Sequence, residues 1–123
     1  MIKYTNDTDV GGLEYWPFDN PASQYRILRG APVASGRLDA GGTGHTTRFG
    51  IWRCTAGAFE CIEQGDELMT VLSGACVLTN HSTGDVVDLK AGDSLFIRDQ
   101  SHVTWDIRED VAKVFHGFKP DGY

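Results

Sequence analysis

The fold is decided by residues 66–97, which carry the sequence DELMTVLSGACVLTNHSTGDVVDLKAGDSLFI. Apolar and polar side chains alternate here in short bursts rich in Val, Leu, Thr and Phe, a composition that favours strands. Each burst ends at a glycine-containing turn signal, at Ser73-Gly74, at residues 82–85 and at residues 91–93. Short alternating segments separated by such turns predict successive antiparallel strands.

The same alternation continues on both sides of this stretch. The flanking segments with period two are residues 49–54, 59–64, 103–107 and 111–118. A further turn is predicted at Arg108–Asp110. No ten-residue segment carries apolar side chains at helical spacing without a glycine break. The chain from residue 46 onward is therefore predicted to be an all-β sandwich or barrel.

Residues 1–45 have a different character. Segments 24–29 and 33–38 are candidate strands, but prolines interrupt the region and favour edge strands or an extended arm. Tyr15, Trp16 and Phe18 are too apolar for a free tail, so we expect them to pack on the barrel or on a second subunit. The predicted organisation is one structural domain, with residues 1–45 as arm and edge strands and residues 46–123 as the barrel.

Charge and cysteine content restrict the partners and the compartment. The net charge is −6 over 123 residues, which disfavours nucleic acids and anionic membranes as partners. No apolar run approaches the ~20 residues that span a bilayer, and the amino end lacks the apolar core of a signal peptide. The odd number of cysteines, without a C-x-x-C pair, predicts buried thiols in a reducing cytoplasm.

Two ordered motifs resemble those of a known superfamily. The first is Gly57-x9-Glu67-x6-Gly74, and the second is Gly92-Asp93-x-x-Phe96-Ile97, with Trp105 following. They resemble the two motifs of the cupin superfamily, and are similar above all to the cupin-3 group that includes ureidoglycine aminohydrolase-like small domains. The resemblance covers about residues 46–118. It implies a double-stranded β-helix (the cupin jelly-roll barrel) with an extended N-terminal arm, assembled as a homodimer.

The resemblance also implies a position for a divalent metal. Cupin sites usually use two histidines, a glutamate and a final histidine; by position these fall on Cys61, Glu63, Glu67 and Val103. Val103 has no ligating group. His102 lies one residue away, and on a regular strand it would face the opposite side unless a bulge intervened. The sequence thus predicts no complete metal site, with Cys61, Glu63, Glu67 and His102 as the candidate ligands.

Four residues form the predicted ligand-binding set. Glu67 is the candidate catalytic residue, acting as ligand or general base, with a carboxylate satisfied by a buried partner such as an arginine as the alternative. Cys61 and Glu63 share a strand face, where a packed thiol and a rim carboxylate are favoured over a metal pair. Trp105 is either a barrel plug or a platform for a flat or cationic molecule.

The remaining histidines have simpler interpretations. His81 lies in a predicted turn and should be exposed. His45 follows the glycine-rich residues 41–44, which lack the context of a phosphate-binding loop and are predicted to be flexible. His116 is predicted to be a core or interface histidine.

Three functions are compatible with these features. The first is a barrel that binds a small polar metabolite through Glu67 and Trp105 without a tightly held metal. The second is an aminohydrolase- or dioxygenase-like enzyme that depends on a divalent transition metal. The third is a non-catalytic assembly or regulatory module. The acidic residues Glu63, Asp66 and Glu67 favour a cation, an amine or a metal as the bound species.

Overall fold

The computed structural model describes residues 1–6 and 11–123. These residues form nine β-strands and one short 3-10 helix at Pro21–Ser23. The strands are β1 (Glu14–Tyr15), β2 (Arg26–Arg29), β3 (Ala34–Gly41), β4 (Thr47–Cys54), β5 (Gly57–Ile62), β6 (Asp66–Asn80), β7 (Val86–Lys90), β8 (Ser94–Ile97) and β9 (His102–Phe118). The predicted all-β architecture is confirmed.

All strand pairs are antiparallel, and the two longest strands, β6 and β9, pair with each other along almost their whole length. The amino half of β6 and the carboxyl half of β9 lie between β4 and β8. With β1 and β3 these strands form what we call sheet I. The other halves of β6 and β9 lie between β5 and β7, and with β2 they form sheet II. The curled sheet encloses a core between its two halves.

Two of the predicted turns are bends inside continuous strands. Ser73-Gly74 lies within β6 and Arg108–Asp110 lies within β9, where the pairing register shifts repeatedly. Gly74 has a φ of +81°, and a Cβ placed there would lie 2.1 Å from the Asp110 carbonyl oxygen. Gly74 therefore lies in a bulge instead of the predicted turn. The sequence signal is the same in both cases, because turns and bulges both use glycines with positive φ. The inward-facing positions of β6 consequently change from Glu67, Met69 and Val71 to Cys76 and Leu78.

The residues before β4 are part of the sheets. β3 pairs along β4, and the exposed strand β2 forms the edge of sheet II beside β5. Trp16 packs against the core, and its ring fills the space that a side chain at Gly36 would need. Phe18 lies 4.6 Å, centroid to centroid, from the buried ring of Phe59. These two aromatic residues thus pack on their own barrel.

The glycine-rich loop before β4 is tied to the end of the described chain. The Gly44 N–H donates to the Tyr123 carbonyl over 3.0 Å, and the Tyr123 N–H donates to the His45 carbonyl over 2.9 Å. His116 is exposed and stacks on Phe49, so the core alternative of its prediction is wrong, and the interface alternative stays a prediction. Its outward direction follows from the alternation with the buried residues Phe115 and Gly117. No helix in the described residues is long and apolar enough to cross a membrane.

Candidate functional site

A cavity of about 120 Å³ opens between the two sheets. Half of its lining residues are aromatic, and four acidic or basic side chains also line it. The lining residues are Trp16, Pro17, Phe18, Tyr25, Ala34, Arg48, Trp52, Phe59, Cys61, Glu63, Glu67, Trp105, Lys113 and Phe115. The strands that supply the charged groups are β4, β6 and β9, with Glu63 following β5. This cavity is the candidate functional site.

A buried ion pair joins Lys113 to Glu67 across the cavity. Lys113 alternates with the buried residues Val111 and Phe115 on β9, so the strand period directs its side chain inward. Its ammonium nitrogen bonds the Glu67 carboxylate, and both side chains are less than a tenth exposed. The same nitrogen lies 4.6 Å from the ring centroid of Trp105 and 4.9 Å from that of Trp52. Cation–π attraction adds to the ion pair in this low-dielectric space.

Glu63 is held on the same wall by Trp105. The indole N–H of Trp105 donates to Glu63 Oε1 over 3.0 Å, and the Cys61 thiol approaches the same oxygen at 3.7 Å. Burial, and after it the nearby Glu67 carboxylate, raises the pKa of Glu63, although Lys113 and Trp105 act in the opposite direction. Burial likewise raises the pKa of the Cys61 thiol, which therefore stays protonated.

Arg48 enters the cavity from β4. Its guanidinium carbon lies 4.3 Å above the ring centroid of Tyr123 and 5.7 Å from that of Phe115. Its buried Nε has no hydrogen-bond partner among the described residues. Gly65 and Gly117 leave room for the Tyr123 hydroxyl, which would lie 2.5 Å from a Cβ at either position. The Arg48 guanidinium is therefore held between the Tyr123 and Phe115 rings at the cavity wall.

Aromatic side chains close one side of the cavity. Phe18 packs against Tyr25 with centroids 4.9 Å apart, and both rings contact Phe59. Burial is the main cause that raises the pKa of Tyr25 to about 12, so its hydroxyl remains a neutral donor at physiological pH. Trp16 adds an edge-on contact with Phe115. The segment before β2 thus forms part of the site wall.

The barrel residues do not fit a divalent metal ion. The oxygen that Glu67 would offer is bonded to the Lys113 ammonium, whose positive charge opposes a second cation. The Cys61 thiol would have to lose its proton, against the direction of its raised pKa. No histidine lines the cavity among the described residues. The donor set that N/O-ligated metals prefer is therefore missing at this position.

The structure brings together all four residues of the predicted ligand-binding set. Cys61, Glu63, Glu67 and Trp105 all line the cavity. His102 does not join them, because Val103 points into the core and His102 points outward, where it contacts Glu60. No bulge interrupts the regular pairing from Gly57 to Ile62 with β9, so the opposite-face position expected from a regular strand is the one found.

Sequence reasoning missed Lys113 and Arg48. It expected a buried partner for Glu67 and named arginine as the example, whereas the partner is Lys113. The available signal was the alternation of Val111, Lys113 and Phe115, which places a charged residue on an apolar face. The same alternation could have placed Trp52 on the inner face of its strand, because Trp52 alternates with Gly50 and Cys54.

The family model that matches the chain is the EutQ-like cupin domain, over residues 41–115. The match covers more than half of the 123 residues. The curled antiparallel sheet and the cavity between its halves agree with this family's barrel. The chain belongs to the cupin-3 family.

Solved structures with the same fold are similar only at low sequence identity. The EutQ protein of Clostridium difficile matches with a TM-score of 0.63 and 16% identity, over 74% of this chain and 71% of that one. A putative ethanolamine utilization protein Q from Salmonella typhimurium matches with a TM-score of 0.58 and 20% identity, over 72% and 70%.

One longer solved structure matches over a larger part of this chain. A Pseudomonas syringae protein of unknown function, from the DUF861 family, matches with a TM-score of 0.66 and 21% identity. That match covers 92% of this chain and 46% of the other. Among curated proteins, no significant sequence relative is found. The similarities establish the fold, and the chemistry has to be argued from this chain's own cavity.

Proposed function

We propose that the chain binds a compact polar metabolite inside its barrel, beside the Glu67–Lys113 ion pair. The observation that carries the proposal is an aromatic-lined cavity on which charged groups of both signs converge. This combination is typical of small-molecule sites. The volume of about 120 Å³ is slightly below the roughly 150 Å³ of an apolar cavity that accepts benzene. The ligand is accordingly restricted to about six heavy atoms or fewer.

The charges in the cavity favour a ligand that carries carbonyl or carboxylate oxygens. Lys113 neutralises Glu67, which removes the reason for expecting a cation or an amine. The Arg48 guanidinium lines the cavity, and its N–H groups are donors that recognise oxygen acceptors. The raised pKa of Glu63 favours its neutral, proton-donating form. Small keto acids, carboxylic acids and ureas present the matching acceptors.

The two other functions receive less support. A barrel metalloenzyme would need Glu67 and Cys61 as ligands, and the first is bonded to Lys113. An assembly module that exposes the aromatic arm would need Trp16 and Phe18 to be free, and both line the cavity. We make no proposal of a catalysed reaction.

A thermal-shift screen with three panels tests the proposal: small keto acids, small ureas and small amines. The keto acids or ureas are expected to raise the melting temperature at millimolar concentration, and Arg48→Met should abolish the rise. Arg53→Met is the matched control, because Arg53 lies on the same strand and pairs with Asp110 outside the cavity. Stabilisation by amines alone, or an undiminished shift in Arg48→Met, would contradict the proposal.

Elemental analysis of the purified protein and of Glu67→Gln tests the absence of a barrel metal. We expect any bound metal to be unaffected by the substitution. Stoichiometric metal that disappears in Glu67→Gln while the fold is retained would overturn the metal-free site.

We propose that the chain works in the cytoplasm. Cys54, Cys61 and Cys76 are all free and buried, which supports a reducing, cytoplasmic environment. Localisation of a tagged full-length chain by microscopy or fractionation tests it, and recovery outside the cytoplasm would contradict it.

A further inference from the structure

A second cluster of ligating side chains lies on the outer face of sheet II. It consists of Glu60 on β5, His102 at the start of β9, and His81 in the turn that follows β6. One ligand atom from each residue lies within 4.8 Å of the others. The cluster lies on the opposite side of the sheet from the cavity, since Cys61 and Val103 point inward. It is therefore independent of the proposed metabolite site.

The backbone holds the two histidines side by side. The His81 N–H donates to the His102 carbonyl over 2.8 Å, and the His102 N–H donates to the Ser82 hydroxyl over 3.1 Å. The ring centroids of His81 and His102 are 4.7 Å apart. The β5–β9 ladder sets the position of Glu60 relative to both rings, because Glu60 pairs with Thr104 and Ile62 with His102.

Neighbouring groups orient the ligating atoms. Glu60 Oε2 lies 3.5 Å from His102 Nε2, while its Oε1 is held by Arg26 Nε at 3.0 Å. His81 Nε2 lies 2.7 Å from the Thr104 hydroxyl. The Arg26 contact leaves Glu60 Oε2 as the ligating oxygen, and outer contacts of this kind are typical of metal-binding carboxylates. The carboxylate thus keeps one oxygen directed to the histidine pair.

We propose that Glu60, His81 and His102 form a binding site for one Zn²⁺ ion. Two imidazoles and a carboxylate are a common donor set for this ion, with solvent completing the tetrahedron. Bonds of about 2.1 Å place tetrahedral ligands ~3.4 Å apart. The Glu60–His102 distance of 3.5 Å already matches this value, and the other ligand-atom distances are at most 4.8 Å. The partly exposed side chains close the remaining gap by rotation. Binding would join β5, the β6–β7 turn and β9 on one face.

Calorimetric titration of the metal-free full chain with ZnCl₂ tests the site. We expect one ion per chain, and at least a tenfold loss of affinity in His81→Ala and in His102→Ala. Glu60→Gln should weaken binding, because it removes the negative charge. His45→Ala and His116→Ala are matched controls, since these are the chain's other two histidines. Circular dichroism of each variant confirms that the fold is kept.

Three results would overturn the proposal. They are no binding at one equivalent, binding unchanged in the His81→Ala/His102→Ala double variant, and loss of binding in either control. Because the test uses zinc alone, its outcome is independent of the metabolite screen.

Discussion

Lys113 shows how one side chain sets the character of the barrel. An ammonium is almost never fully buried unless it is paired, and here one carboxylate and two indole rings surround it. Breaking a buried pair costs more than the pair contributes, because the remaining charge has lost its water and its partner. We therefore expect the empty barrel to be stable when Lys113 and Glu67 are both present or both replaced by apolar residues, and to be less stable when only one of them is replaced.

Lys113→Met should lower the free energy of unfolding by about 3–5 kcal/mol, since Glu67 would be left buried without its counter-ion. The double variant Lys113→Met/Glu67→Leu should recover most of this loss. Urea unfolding measures both. Lys90→Met, at an exposed position on β7, is the control and should stay within about 0.5 kcal/mol of the parent chain. Equal destabilisation of the single and double variants would show that the pair is not the cause.

Glu63 gives the barrel a pH dependence of known sign. Its pKa is higher in the folded chain than in the unfolded chain, chiefly because of burial. Above about pH 4.3, the folded state therefore binds more protons than the unfolded state. As the pH rises from there to the folded-state pKa of Glu63, this residue progressively lowers the free energy of unfolding. Below the unfolded-state pKa both states are protonated, and the effect vanishes.

Glu63→Gln should therefore be more stable than the parent chain at neutral pH and indistinguishable near pH 4. The amide oxygen still accepts the Trp105 N–H, so the change removes the charge and keeps the hydrogen bond. Urea unfolding of the two proteins from pH 4 to 8 gives the difference directly. A difference that grows toward acidic pH would contradict the raised pKa.

For single residues, the sequence predicted which side chains point into the barrel better than it predicted which side chains bind one another. The resemblance to the cupin motifs placed Cys61, Glu63 and Glu67 in the barrel, and they line the cavity. It did not identify Lys113 as the partner, because a lysine is normally exposed and the closing strand's register was unknown. Arg48 was missed since its role depends on Tyr123, which is distant in sequence.

At the scale of elements, Gly74 determines how β6 turns from one sheet to the other. The sequence predicted a chain reversal at this glycine, and the structure has a bulge within a continuous strand. Local sequence cannot separate the two cases, because both use a glycine with positive φ. The distinction depends on Asp110, whose carbonyl occupies the space beside Gly74.

Gly74→Ala should destabilise the chain by about 2–4 kcal/mol, since the new Cβ meets the Asp110 carbonyl and the φ is +81°. Gly84→Ala is a matched control: its φ is +84°, but nothing lies within 4 Å of the new Cβ. We expect the control to lose only about 1–2 kcal/mol, the cost of the left-handed conformation. Thermal and urea unfolding of both variants give the comparison, and equal losses would exclude the close contact as the cause.

At the scale of the whole molecule, an exposed apolar row crosses sheet I. Phe96 pairs with Leu68, Leu68 with His116, and His116 with Phe49, on four neighbouring strands. Leu68 and Phe96 are 52% and 53% exposed. In the aromatic arm, which helped to motivate the expected homodimer, Trp16 and Phe18 pack on the chain's own barrel, whereas Tyr15 is 69% exposed. We propose that a second copy of the chain covers the row instead.

Sedimentation should therefore give twice the 13.5 kDa chain mass, and Leu68→Glu should reduce it to the monomer value. A charge in the centre of the row would be desolvated on association without a partner. Val86→Glu is the control, because Val86 is an apolar residue that is 65% exposed but lies on β7, outside the row. Monomer mass for the parent chain, or a dimer that survives Leu68→Glu, would contradict this interface.

The sharing of β6 and β9 between the sheets has a thermodynamic consequence. Neither sheet can separate while the other persists, since each would lose its two central strands. Unfolding is then a single cooperative transition, and any ligand that binds only the native state stabilises the entire chain. A metabolite in the barrel and a zinc ion on the outer face would each raise the melting temperature, and their contributions to the free energy of unfolding would add, although they share no contact. Amide protons of both sheets would slow their exchange together when either ligand is added.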